Sequence, residues 1–259
     1  MHAAHNLSRV STAWWRTARY ARAIGPRVRK YSRYSLAERH ALVTGGSSGI
    51  GAELCKELVS RGASVTSVDV TPPTCDVAGI THLDGDVRTF DFGSLAPIDL
   101  IVANAGVVDS TRHRPLTEDA VRRLIDINLV GVARTLTAPT TPSGRALIIS
   151  SRSAVAPEAP GALYGATKAA ALNYGLSAGS VRPTTVALVG ITATNLFAAE
   201  ADYQGRAVDP PRSTFGDPSE VARACLDAVE AGDPLVITDR DTLRDVSAFG
   251  FAFLTARLR

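Results

Sequence analysis

The chain has 259 residues, 45% of them hydrophobic and 20% charged, with a formal net charge of +3. This is ordinary globular composition with length enough for a sizeable core. No run of about 18 apolar residues occurs, which excludes a membrane-spanning helix, and three scattered cysteines (Cys55, Cys75, Cys225) argue against a disulfide framework or a metal site and fit a reducing compartment.

Residues 1–34 hold eight basic residues and no acid, which leaves 20 basic and 25 acidic residues in the remainder. The body is therefore mildly acidic, and nucleic-acid binding by charge is not expected. The basic segment, residues 1–34, reads as an extension, helical or disordered, ahead of a domain spanning 35–259. Val10, Trp14, Ala18 and Ala21 fall near one helical face, with Arg16, Arg19 and Arg22 away from it, until Gly25-Pro26 breaks the pattern. A membrane-surface helix, a transit peptide, a contact with an acidic partner and a loosely packed tail are all open to it. A secretory signal is not expected, because the apolar centre such signals need is absent. The expected location is cytoplasmic, with organelle targeting or membrane-surface association as alternatives carried by the basic segment.

From Ser35 onward, apolar strands alternate with helices. Ala41–Val43 is a strand, followed by the turn Thr44-Gly45-Gly46-Ser47-Ser48-Gly49-Ile50-Gly51 and a helix from Ala52 to Val59. Val65–Val68 is a second strand, ending at Asp69, and Ile98–Val102 is another. Thr117–Ala138 is a helix with Thr117 as N-cap and Pro139 beyond it. Ala146–Ile149, Thr185–Val189 and Leu235–Thr238 are strands, and Leu163–Ser177 and Pro218–Ala231 are helices. This order predicts an α/β fold, a doubly wound parallel sheet covered on both faces.

A glycine turn between strand and helix points to phosphate. The helix N-terminus offers unpaired N–H groups, and glycines let a pyrophosphate approach the backbone. The spacing Gly45, Gly49, Gly51 differs from the common G-x-G-x-x-G fingerprint. Asp69, 18 residues past Gly51, stands where a carboxylate bonds an adenosine ribose and repels a 2′-phosphate, against the plainer reading of a strand-end turn. Ser48 and Val70 place no cation at either position, so NAD is expected over NADP. Tyr164 and Lys168 are four apart on one helix face, and the ammonium is expected to lower the phenol's pKa.

Together these residues resemble the short-chain dehydrogenase/reductase family. The matches run in family order over about 150 residues: Thr44–Gly51, Asp69, Asp86-Val87, Asn104-Ala105-Gly106, Asn128, Ser150-Ser151, Tyr164-x-x-x-Lys168, and Val189-Gly190 followed by Thr194. The resemblance implies a single three-layer α/β/α Rossmann domain and an oxidoreductase joining a nicotinamide cofactor to an alcohol or ketone. It implies Tyr164 as general acid or base, Lys168 as its modulator and ribose ligand, Ser151 as donor to the substrate oxygen, and Asn128 as holder of a relay water. Gly45, Ser47, Ser48, Gly49, Ile50, Gly51, Asp69, Asp86, Val87, Asn104, Ala105, Gly106, Tyr164, Lys168, Gly190 and Thr194 would contact the cofactor. A non-catalytic dinucleotide sensor or scaffold is the alternative function.

Several features depart from the family pattern. Ala103 replaces the first amide of Asn-Asn-Ala-Gly, and Val189 replaces the proline of Pro-Gly. The Asp86–Asp99, Asn128–Ser151 and Lys168–Val189 connections are short. The first leaves little room for a helix. The other two argue against the usual tetramer and leave a homodimer as the expected assembly. Val107, Val108, Ala154, Val155, Ala156 and Ile191 predict an apolar substrate pocket. Residues 195–217 stand where relatives carry a lid, with Phe197 and Tyr203 as candidate contacts. Phe249, Phe251, Phe253 and Leu254 read as packing residues or, with the basic segment, as a membrane surface.

Overall fold

A computed structural model describes residues 30–73, 77–108, 116–156, 161–194, 196 and 216–247. Seven strands form one parallel sheet: β1 (His40–Thr44), β2 (Ser64–Asp69), β3 (Ile80–Asp84), β4 (Ile98–Ala103), β5 (Thr140–Ser151), β6 (Thr184–Val189) and β7 (Leu235–Ile237). Their spatial order is β3-β2-β1-β4-β5-β6-β7. The strand residues alternate between two apolar faces. Ala41, Val43, Leu100, Val102, Leu147 and Ile149 join one core cluster with α1 (Gly49–Ser60) and α5 (Pro218–Ala231). Leu42 and Ile101 turn to the other face, as do Ala146 and Ile148, which pack with Ala171 of α4 (Ala162–Ala178). Burial on both faces is why these strands read as unbroken apolar runs.

The order reverses between β1 and β4, so a crevice opens outside the carboxyl ends of the central strands. Thr44, Asp69, Ala103, Ser151 and Val189 are the last residues of five strands and stand around it.

Two local outcomes differ from the sequence expectations. The helix expected over Thr117–Ala138 is α2 (Glu118–Ile125), a π segment (Asp126–Gly131) and α3 (Val132–Thr135). Its N-cap is as expected: Thr117 accepts from the Ala120 N–H at 3.2 Å. β3 and a helical segment over 240–247 carried no recognised signal. Between Asp86 and Asp99, as the short connection implied, there is room only for a 3-10 turn, Phe92–Ser94.

The domain also begins earlier than residue 35. At the end of the sheet away from the crevice, Tyr31 N–H donates to Gly232 O at 2.8 Å and Tyr34 Oη donates to Asp99 O at 2.9 Å. The guanidinium groups of Arg145 and Arg39 stand over the Tyr34 ring, 4.5 and 5.2 Å from its centroid. Residues 30–34 are thus part of the folded body. Residues 1–29, Phe197, Tyr203, nearly all of the 195–217 lid, and Phe249 to Leu254 lie outside the described residues. Among the described residues, no helix is long and apolar enough to cross a membrane.

Candidate active site

The glycine turn is built by β1, α1 and Asn104. Asn104 Nδ2 donates to Thr44 O and Gly45 O, both at 3.0 Å. Thr44 Oγ1 accepts from Asn104 N (3.2 Å) and Ala105 N (3.3 Å). This pins the loop after β4 against the loop after β1. The glycines divide their work differently from the sequence expectation. A Cβ on Gly51 would lie 1.9 Å from Gly45 O, so Gly51 serves loop closure. Gly49, at φ +54°, would meet only the Thr194 side chain at 3.1 Å and faces the crevice. Ser48, the N-cap of α1, makes no side-chain cap bond. The first-turn N–H groups of α1 therefore lack a side-chain acceptor and suit an anion.

These residues wall a cavity of about 640 Å³. Gly45, Ser48, Gly49, Ile50 and Gly51 line it at the turn, Asp69, Asp86 and Val87 at one end, and Ser151, Tyr164 and Lys168 at the other. Asn104, Ala105, Gly106, Gly190 and Thr194 line it between. Ser47 does not. It is buried, its N–H donates to Asp69 Oδ2 at 2.9 Å, and its hydroxyl donates to Thr71 O at 2.7 Å. Ser47 is thus a loop lock, not a cofactor contact. Asp69 Oδ1 also accepts from Thr71 N (3.0 Å) and Oγ1 (3.1 Å), which fixes the carboxylate at the end of β2 with acceptor capacity left over.

Arg88, which no local sequence pattern marks, also lines this end. Its Nε contacts both Asp86 oxygens, at 3.0 and 2.9 Å, and this pairing holds the Asp86 carboxyl below the usual range. This cation stands at neither position 48 nor position 70 and is engaged with Asp86.

At the opposite end, Ser151 closes β5 and caps the turn Arg152–Ala154, its Oγ accepting from Ser153 N at 3.2 Å. Tyr164 and Lys168 are presented by α4. Lys168 is buried, with Nζ donating to Ile149 O at 3.0 Å and standing 5.8 Å from the Tyr164 ring centroid. Burial pushes the ammonium down to about 8. The expected lowering of the Tyr164 phenol by Lys168 is not what the geometry yields. Burial raises that phenol, and a hydrogen bond with Ser151 offsets part of the rise. Desolvation is the larger cause, because a buried phenolate would lose its hydration.

Asn128 lies in the π segment, fully buried and outside the cavity lining. Its Oδ1 accepts from Val107 N at 2.8 Å, and its Nδ2 donates to Val107 O (2.8 Å) and Thr167 Oγ1 (3.1 Å). The side chain therefore ties the loop after β4 to the helix carrying Tyr164 and Lys168. Gly106 leaves the gap between Lys168 Nζ and Asn128 Oδ1, where a Cβ would sit 3.2 and 3.3 Å from each.

Val107, Val108, Ile191 and Leu196 supply an apolar wall. Ala154 and Val155 instead pack onto the cluster around Leu188 and Ile237. Ala156 also stays off the cavity lining. Arg123 and Arg152 line the cavity too, and no local sequence pattern marks either.

Because Lys168 sits at about 8 in the fold and near 10.5 when exposed, keeping it charged costs stability below about pH 8. The cost fades as pH rises toward 10.5. Lys168→Met is therefore expected to end turnover yet gain about 1–3 kcal/mol of stability at pH 7. Urea unfolding across pH 7–10 checks this: the gap should shrink with pH, and a constant gap contradicts it.

Residues 39–199 match the family model described as short chain dehydrogenase. The cis-4-hydroxycyclohexanecarboxylate dehydrogenase of Sinomonas cyclohexanicum is 34% identical over 228 residues, covering 73% of this chain and 88% of that protein. An uncharacterized oxidoreductase of Saccharomyces cerevisiae is 32% identical over 155 residues, 52% of this chain and about half (49%) of the yeast protein. Among solved structures, a Burkholderia phymatum short chain dehydrogenase/reductase in complex with NAD superposes with TM-score 0.72 at 16% identity, covering 83% of this chain and 93% of that one. A Burkholderia cenocepacia short chain dehydrogenase in complex with NADP gives 0.71 at 22% identity, covering 87% and 99%.

Proposed function

The chain belongs to the short chain dehydrogenase family, and from that premise we propose that it is an NAD-dependent oxidoreductase acting on an apolar secondary alcohol or ketone. The observation that carries this reading is the meeting of Ser151, Tyr164 and Lys168 at one end of the same cavity whose other walls are the glycine turn and Asp69. The turn fits a dinucleotide: uncapped N–H groups face it, and Gly49 leaves space for it. Bound there, the cofactor supplies the hydride acceptor or donor.

The protein supplies the proton. Tyr164 Oη gives it to a ketone oxygen in reduction and takes it from the hydroxyl in oxidation. Ser151 Oγ shares that oxygen and steadies its developing negative charge. Lys168 holds a positive charge beside the phenol, and Asn128 keeps the loop after β4 and α4 in register around them. The raised Tyr164 value makes oxidation favour alkaline pH and reduction favour lower pH. The apolar wall supports an uncharged substrate, whereas the substrate in the Sinomonas relative's name is an alicyclic alcohol that also carries a carboxylate.

The solved relatives hold either NAD or NADP, so the cofactor choice rests on Asp69. Its fixed carboxylate bonds ribose hydroxyls and repels a 2′-phosphate. Turnover should be higher with NAD(H), and Asp69→Asn should narrow that preference by about tenfold, the worth of one charged hydrogen bond. Wild-type preference for NADP(H) overturns the NAD assignment.

A further inference from the structure

We propose that Asp245 sets the charge of the substrate pocket by holding Arg152 in an ion pair, so that the wall beside Ser151 accepts uncharged substrates; this rests on the oxidoreductase reading above. Arg152 immediately follows Ser151 and lines the cavity. Its Nε stands 2.6 Å from Asp245 Oδ2, with the two side chains 26% and 30% exposed. An arginine fork beside the reacting oxygen is a ready partner for a substrate carboxylate. Paired with Asp245, it presents no net charge.

The pair is not a loose surface contact, because the helical segment that brings Asp245 is fixed at both ends. Asp239 caps it, accepting from Thr242 N at 2.8 Å and Thr242 Oγ1 at 2.6 Å. The same carboxylate fills the space over Gly190, where a Cβ would lie 2.2 Å from Asp239 Oδ2. Farther along, Leu243 and Val246 pack against the cluster of Val186, Leu188, Leu235 and Ile237, as do Ala154 and Val155 of the turn that carries Arg152. The segment thereby braces two walls of the cavity, and Asp245 is the carboxylate it delivers to the arginine. Arg123, from α2, also lines the cavity and is left in place in every comparison below.

The test pairs kinetics with binding. Turnover of cis-4-methylcyclohexanol, cis-4-hydroxycyclohexanecarboxylate and trans-4-aminocyclohexanol is measured for the wild-type chain, Asp245→Asn, Asp245→Glu and Arg152→Gln. Asp245→Asn should raise kcat/KM for the carboxylate over the neutral alcohol by about tenfold or more, through KM, as expected for one new charge-assisted contact. Asp245→Glu should restore the wild-type ratio. Arg152→Gln, which removes the cation from the wall and leaves Asp245 unpaired behind it, should shift preference toward the ammonium compound and carries the test if Asp245→Asn fails to fold. A parallel loss on all three substrates means a brace with no role in selection and overturns the proposal.

Calorimetric binding of cyclohexanecarboxylate and its carboxamide to the cofactor-loaded proteins gives a second readout. Tighter binding of the carboxylate alone in Asp245→Asn is expected, and equal affinity in both proteins overturns the proposal. Absence of any turnover in the wild-type chain, with the binding difference present, counts against the oxidoreductase reading and leaves the charge assignment standing.

Discussion

Tyr164→Phe is expected to lower turnover by a factor of about 10²–10⁴ or more, the usual contribution of a positioned acid or base, while cofactor affinity stays near that of the wild type. The substitution removes one oxygen and keeps the ring. Lys168 Nζ stands over that ring at 5.8 Å from its centroid and is held by Ile149 O, so its position does not depend on the phenol oxygen. Ser151 likewise keeps its bond to Ser153 N. What disappears is the group that exchanges a proton with the substrate oxygen. Steady-state rates in both directions, with cofactor affinity from fluorescence titration, separate the two effects. A variant that retains most of its turnover would transfer the catalytic proton to another group, Ser151 being the nearest hydroxyl.

The second large effect is on the glycine turn. Gly51→Ala places a methyl 1.9 Å from Gly45 O and 2.5 Å from Asn104 Nδ2. Backbone stands on one side and the amide that pins both loops on the other, so neither can give way cheaply. A loss on the order of 3 kcal/mol is expected, at the upper end of overpacking costs, together with loss of cofactor binding as the turn opens. Gly49→Ala is the informative contrast. Its methyl meets only the Thr194 side chain at 3.1 Å, and the penalty is that of a left-handed φ of +54°, about 1–2 kcal/mol. Thermal unfolding of the two variants should rank Gly51 well above Gly49. The reverse ranking would mean that ligand space, and not loop closure, is what the third glycine provides.

Much of the fold was legible because local signals agreed with the tertiary outcome. The helix Pro218–Ala231 was placed to the residue: Asp217 caps it, Pro218 opens it and Gly232, at φ +75°, ends it. β1, β4 and β6 were found because both their faces are buried. β3 was missed because its sequence, Ile-Thr-His-Leu-Asp, lies at a sheet edge and only half buries its apolar residues. The first half of β5 was missed because Pro142 and Gly144 read as breakers. The sheet holds that stretch through pairing of Ile98 with Thr140 and a register shift, which no local pattern announces. The π segment around Asn128 keeps helical periodicity, so its wider turn does not show in the spacing of residues.

The site was legible as a set of residues and less so as a set of roles. Gly49, Asp69, Ser151, Tyr164 and Lys168 stand around one cavity, as their order along the chain implied. Ser47 and Asn128 belong to the scaffold, because the acceptors and donors that claim them come from Asp69, Thr71, Val107 and Thr167. The Arg152–Asp245 pair joins residues far apart in sequence, and the Tyr164 phenol is governed by burial, which sequence proximity to a lysine does not report.

The most direct test of the central assignment is isotope transfer. A secondary alcohol such as cis-4-methylcyclohexanol, deuterated at the carbinol carbon, is incubated with the protein and NAD, and the cofactor is recovered for mass spectrometry. The account predicts reduced cofactor carrying the deuterium, formed by the wild-type chain and absent with Tyr164→Phe. Reduced cofactor without the label, or the same labelled yield from both proteins, would contradict it.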